Sequence, residues 1–185
     1  MHPSRFFLLF LVSLLPVGNL SATPPNVLII MADDMGYSDA GCYGGEIETP
    51  NLDALADGGI RYAQFYSTGR CWPSRAALLT GYYAQQVRRD TFGDTKLGNR
   101  PAWAPLLPAL LGEAGYRCYH SGKWHLDGAP LQNGFERSYS LHDQDRFYSP
   151  KKHFLDDVSL PQPAPDSGYY ATTAIADHAV ETLKK

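Results

Sequence analysis

Positive charge is scarce in this chain, and so is cysteine. Sixteen lysines and arginines stand against nineteen acidic residues in 185, a formal net charge of −3. No basic cluster interrupts that balance, so nothing favours nucleic acid as a partner. Three cysteines do not make a disulfide framework. Cys42 and Cys118 could pair in an oxidising compartment, or be small buried hydrophobes, the reading preferred here. Also missing is an apolar run of bilayer-spanning length, which argues against stable membrane insertion. The extended apolar stretch, Phe6 to Leu15, is too short. His2 and Arg5 precede it, Pro16 and Gly18 break it, and Leu20-Ser21-Ala22 offers a small residue for cleavage. Residues 1–22 therefore read as a secretory signal, with an uncleaved membrane anchor as the competing reading. No cysteine follows closely, which argues against a lipoprotein anchor. The mature chain is expected to start near Thr23 and to be secreted or periplasmic. What remains, 44% hydrophobic and 19% charged, is ordinary globular composition.

Periodicity and punctuation then divide the chain. Asn26 to Met31 is apolar and β-branched, and reads as a strand buried on both faces, ending in Asp33, Asp34 and Gly36. Thr49-Pro50 opens a helix that Gly58-Gly59 stops. Ile60 to Tyr66 alternates weakly, as a strand. A helix begins at Cys71 and closes at Gly81, and another spans Pro105 to Ala114. A short strand follows Gly115, and Gly122 turns the chain. Residues 126–166 show little periodicity and are expected to cover a site. Ser167 is expected to cap a last helix, Tyr169 to Lys184, with Tyr170, Ile175, Ala179, Val180 and Leu183 on its buried side. Strands alternating with helices imply α/β architecture.

Three segments carry chemistry. Cys71-Trp72-Pro73-Ser74-Arg75 puts a reactive side chain at a helix N-terminus, where the dipole favours negative charge, with an arginine one turn on. The bland alternative is a buried cysteine before a first-turn proline. Asp33 and Asp34 are adjacent carboxylates at a strand's end, where they would repel unless a hard cation or a proton lay between them. The alternative is a cap or loop charge. Lys123 and His125 fall two apart, so extended backbone would project both from one face, a cation and a base suited to an anionic substrate. The alternative is a surface lysine and a satisfied histidine.

Together these segments resemble the formylglycine-dependent sulfatases. The matching features are C-x-P-x-R at 71–75, the strand-Asp-Asp start, and Gly115-Tyr116-Arg117-Cys118-Tyr119-His120-Ser121-Gly122-Lys123-Trp124-His125, with Cys118 where threonine is usual. Gly134-Phe135-Glu136-Arg137-Ser138-Tyr139 matches a further family stretch. The resemblance implies an alkaline-phosphatase-like, doubly wound, mostly parallel sheet flanked by helices. It implies that a maturation enzyme converts Cys71 to formylglycine, whose hydrate is the nucleophile. Asp33, Asp34 and the modified Cys71 would ligate calcium. Arg75 would hold the formylglycine oxygens, Lys123 would bridge nucleophile and sulfate, and His125 would be the base. His142 lies in a region near the family's pocket, but is read as a loop residue with a local hydrogen bond.

The implied activity is hydrolysis of sulfate monoesters on a small molecule or polysaccharide. Phosphonate monoester or phosphodiester hydrolysis is the nearest alternative, and an inactive fragment is another. Family members are far longer, and their remaining calcium ligands, second histidine and second lysine have no positions here. Residues 23–185 are therefore expected to be the N-terminal part of a catalytic domain.

Overall fold

The computed structural model describes residues 23–90, 99–143 and 145–184. The signal-like segment 1–22 lies outside the described residues. The chain divides into two units, 1–32 and 33–185.

In the first unit, residues 23–32 carry no helix or strand. The buried strand expected over Asn26–Met31 is absent, and Val27 to Met31 are 37–72% exposed. An apolar run supplies the side chains for a parallel strand but not its partners. Ladder bonds on both edges must come from elsewhere.

In the second unit, α1 (Pro50–Gly58) has its proline at the first position, as expected. Thr49 precedes it without capping it. Its hydroxyl instead accepts the Gly41 N–H at 2.8 Å and donates to Asp53 Oδ1 at 2.9 Å, which also accepts the Cys42 N–H at 2.7 Å. The short 3-10 turn Gly41–Tyr43 is thereby tied to the helix. The strand expected at Ile60–Tyr66 does not form, and Ile60 and Tyr66 are more than four-fifths exposed. Its weak alternation meets no partner edge.

Helix α2 (Cys71–Thr80) has the expected bounds. Gly81, at φ 72°, takes the left-handed C-terminal position and donates its N–H to Ala77 O at 2.9 Å. Helix α3 (Leu107–Glu113) starts later than expected, because Leu106 is extended and buried.

The sheet runs in the order β1 (Tyr119–Lys123), β2 (Arg137–Leu141), β3 (His153–Leu155), β4 (Val158–Ser159). β1 and β2 are parallel, and the other two pairs are antiparallel. The α/β class holds, and within this sheet the parallel order is confined to one strand pair. Three strands lie inside the stretch 126–166, which shows little periodicity. β2 explains why: Ser138, Tyr139, Ser140 and Leu141 are all buried, so no polar face alternates with an apolar one.

Helix α4 (Ala171–Leu183) packs on β1 and β2. The Ser121 hydroxyl donates to Ile175 O at 2.7 Å. Gly122 does not turn the chain; it sits inside β1 at φ 126°, where a Cβ would lie 3.4 Å from the Ile175 side chain. Ser167 does not cap α4, since its hydroxyl closes a local turn onto Ala164 O at 2.7 Å. Val180 and Leu183, expected to be buried, are about half exposed or more. All three cysteines are free thiols, so Cys42 and Cys118 do not pair.

Candidate active site

The site lies where β1 ends, at the carboxyl end of a parallel strand pair. Lys123 is the last residue of β1, and its Nζ donates to Asp33 Oδ2 at 2.6 Å. Arg75, in the second turn of α2, donates from Nη2 to Asp33 Oδ1 at 3.3 Å and from Nη1 to the Lys123 carbonyl at 2.7 Å. The two cationic side chains are only 12% and 13% exposed. Each oxygen of one carboxylate thus faces its own cation. Partial burial pushes the Asp33 carboxyl up, but the hydrogen bonds and charges of Lys123 and Arg75 outweigh it, holding it below the ordinary value.

Cys71 opens the same helix, one turn before Arg75, and is half-buried. The first N–H groups of a helix have no intrahelical partner, so the residue stands where negative charge is favoured. Trp72, the free position of the motif, meets the His125 ring edge-on at 5.9 Å. His125 is not in extended backbone as expected. The strand stops at Lys123 and His125 turns left-handed, at φ 50°. It still belongs to the cluster: partial burial, then the charges of Lys123 and Arg75, hold its imidazole below the ordinary value, against Asp33. At neutral pH the ring is neutral and can accept a proton.

Three buried side-chain nitrogens among the described residues have no hydrogen-bond partner: Trp72 Nε1, Arg75 Nε and His125 Nδ1. Unsatisfied buried polar atoms are costly and rare, and these three fall on the residues just described. Two of them, on Trp72 and Arg75, can only donate, which suits an anion.

The expected metal group is not assembled. Asp34 is exposed, left-handed at φ 58°, and without a hydrogen bond or ion pair among the described residues. No group of three or more His, Cys, Asp or Glu among the described residues could hold a metal ion. Asp33 and Asp34 are hard oxygen donors of the type calcium takes, but two carboxylates fall short of its six to eight oxygens. Lys123 and Arg75 offset the charge of Asp33. The residues present do not make a calcium site by themselves.

His142 stands one residue past β2, where its N–H donates to Lys152 O at 2.9 Å and its ring meets Phe154 edge-on at 5.1 Å, a local loop role. Sequence reasoning missed Trp72, Arg89 and Asp127. The first occupies an unspecified motif position. The second lies in Arg88-Arg89-Asp90, which has the composition of a surface turn, yet it is 3% exposed.

A family model described as Sulfatase matches residues 25–185. Human arylsulfatase A is 41% identical over 145 residues, covering 70% of this chain and 28% of that protein. N-acetylgalactosamine-6-sulfatase of Canis lupus familiaris is 39% identical over 163 residues, covering 80% of this chain and 30% of its own. The solved structure of BT4656 in complex with its substrate, D-glucosamine-2-N,6-O-disulfate, superposes with a TM-score of 0.67 at 30% identity. The match covers 88% of this chain and 32% of that one. The chain spans less than a third of the length of these curated relatives. With Asp33, Arg75 and Lys123 joined at one strand end and residues 25–185 matching the family model, the chain belongs to the sulfatase family.

Proposed function

We propose that this chain carries the nucleophile and anion-holding part of a sulfuric ester hydrolase acting on sulfate monoesters. The observation that carries this reading is the set of three unpartnered buried nitrogens beside the Asp33–Lys123–Arg75 cluster. A sulfate monoester is an anion whose sulfur is shielded by oxygens, so its hydrolysis needs charge neutralisation and a fixed nucleophile. Lys123 supplies a compact positive charge, and Arg75 a planar fork with Nε still free to donate. Trp72 Nε1 adds a neutral donor. His125, neutral and half-buried, holds the position of a proton acceptor.

Cys71 is the position for formylglycine, made by a separate maturation enzyme. Its hydrate would supply an oxygen nucleophile in place of the thiol. The N-terminus of α2 favours negative charge developing there, and Arg75, one turn on, offsets it. Calcium is the cation that the resemblance assigns to Asp33 and Asp34, which would give it two of its six to eight oxygen ligands. Sulfated saccharides are the proposed substrate class, since relatives named above act on them or are bound to one. Passage through a secretory route is proposed from residues 1–22.

The test joins mass and turnover. Co-expressed with a formylglycine-generating enzyme, the peptide containing residues 71–75 should show loss of the thiol and gain of an aldehyde. An unmodified thiol in every condition refutes the assignment. In a preparation that hydrolyses an aryl sulfate in preference to the matching aryl phosphate, Cys71→Ala should abolish turnover, because no other side chain there forms the hydrate. Activity surviving that change excludes the mechanism, and preference for the phosphate ester supports the phosphonate or phosphodiester alternative.

A further inference from the structure

Two arms of the site come from distant segments, the start of α2 with Cys71 and Trp72, and the loop leaving β1 with His125. Between them lies Arg89, buried in the turn that follows α2. Its Nε donates to Asp127 Oδ2 at 2.7 Å, its Nη2 to Asp127 Oδ1, and its Nη1 to the Arg88 carbonyl at 2.7 Å. Its guanidinium carbon stands 5.4 Å from the centre of the Trp72 ring, whose edge contact with His125 is described above. One cation therefore grips the loop two residues past His125 with its fork, and a face of Trp72 with its plane. Arg100 reaches the same carboxylate more loosely, with Nε 4.0 Å from Asp127 Oδ2. Beside the clamp, a core cluster of Ala76, Val87 and Ala104, with Trp72 and Leu126 packed against it, joins the same three segments.

His125 has reason to need this grip. Its left-handed backbone is costly for a residue with a side chain, and persists only where the surroundings over-determine it. The ladder that fixes Lys123 has ended. The loop beyond is held by the Trp124 Nε1 bond to Gly128 O at 2.7 Å, the Asn133 Nδ2 bond to Asp127 O at 2.9 Å and the Asp127 carboxylate. A lysine at position 89 could match the charge but could not present a fork and a plane at once.

We propose that Arg89 is a positioning residue that holds His125 and Trp72 in register through Asp127. Its consequence for turnover rests on the sulfate-ester chemistry above, whereas the clamp itself is read without substrate. The decisive measurement is the position of the His125 ring resonances in the NMR spectrum of the full chain. Trp72→Phe calibrates the displacement that the indole imposes. Arg89→Lys and Asp127→Asn should each remove about half of that displacement or more, and combining them should add little, as expected of residues acting as one unit. His120 and His153 should keep their positions, which a general loss of stability would not spare. His125 unmoved in either folded variant overturns the proposal. If Arg89→Lys fails to fold, Asp127→Asn decides alone. Failure of both to fold also counts against it, since the pair would then be a requirement of the fold. In a preparation with turnover, Arg89→Lys should lower kcat about tenfold with KM held within about twofold. Absence of turnover would leave the resonance result standing.

Discussion

Acid should weaken this protein through His120, three positions before Lys123 in β1. Its Nδ1 lies 2.9 Å from the Ser138 hydroxyl, and its ring meets Trp124 and Phe135 edge-on at 5.3 and 5.5 Å. Burial is the main cause that lowers its pKa from 6.5 to about 4, with the charges of Arg75 and His142 adding and a backbone hydrogen bond at Lys123 opposing. The unfolded chain therefore takes up a proton at a pH where the folded chain refuses it. The stability linked to neutral His120 is fully present above pH 6.5, and is lost as pH falls towards about 4. At about 1.4 kcal/mol per tenfold in proton affinity, the loss is on the order of 3 kcal/mol. That is a large share of the roughly 5–15 kcal/mol a domain possesses. Urea unfolding, followed by tryptophan fluorescence between about pH 7.5 and about pH 4, measures it. His125 and His142 are also held low, by burial first, and contribute in the same direction. The comparison that isolates His120 is the pH slope of the wild type against that of His120→Asn, which can still hydrogen-bond Ser138. The variant should lose most of the slope whatever its absolute stability. An unchanged slope would refute the assignment.

Other expectations concern the frame and charges of the site. Gly134, at φ 96°, packs so closely that a Cβ would lie 2.5 Å from Ala109 N and 2.7 Å from Ala109 Cα. Gly134→Ala should therefore cost roughly 2–4 kcal/mol in thermal or urea unfolding, and an effect within error would mean the contact relaxes freely. Lys123→Met removes the first-named of the two cations on Asp33, so the Asp33 carboxyl, followed by carbon NMR, should titrate at higher pH. Because Asp33 is held low, the stability linked to it is present above pH 3.8 and lost as pH falls. The variant should show a smaller loss there, and an unshifted Asp33 would contradict the ion pairing. Calorimetric titration with calcium should show no tight, saturable uptake by this chain, whose described residues gather no metal-holding group. Tight binding would show that the missing oxygens are supplied from within it.

Helices were the most legible part of the fold. Proline at the start of α1 and glycine after α2 act through bonds three or four residues long, so Pro50–Gly58 and Cys71–Thr80 could be read from local signals. Strands were the least legible. The most apolar run, Val27 to Met31, forms none, while the serine-rich β2 forms one buried along most of its length. A strand is decided by its partners, and those lie elsewhere in the chain. The signature residues were equally readable as residue types: Asp33, Cys71, Arg75, Lys123 and His125 stand in the order and spacing that identified the family.

The linear sequence determined which residue types this protein brings to its candidate site, because a motif is a local statement about residue type and spacing. Only the tertiary structure decided how those groups meet. Lys123 reaches Asp33 across 90 positions, Arg75 reaches it across 42, and Arg89 reaches Asp127 across 38. Ion pairs at such separations depend on how distant segments pack, which no local periodicity encodes. The same packing turned His125 out of the strand and buried an arginine that composition would have left in solvent.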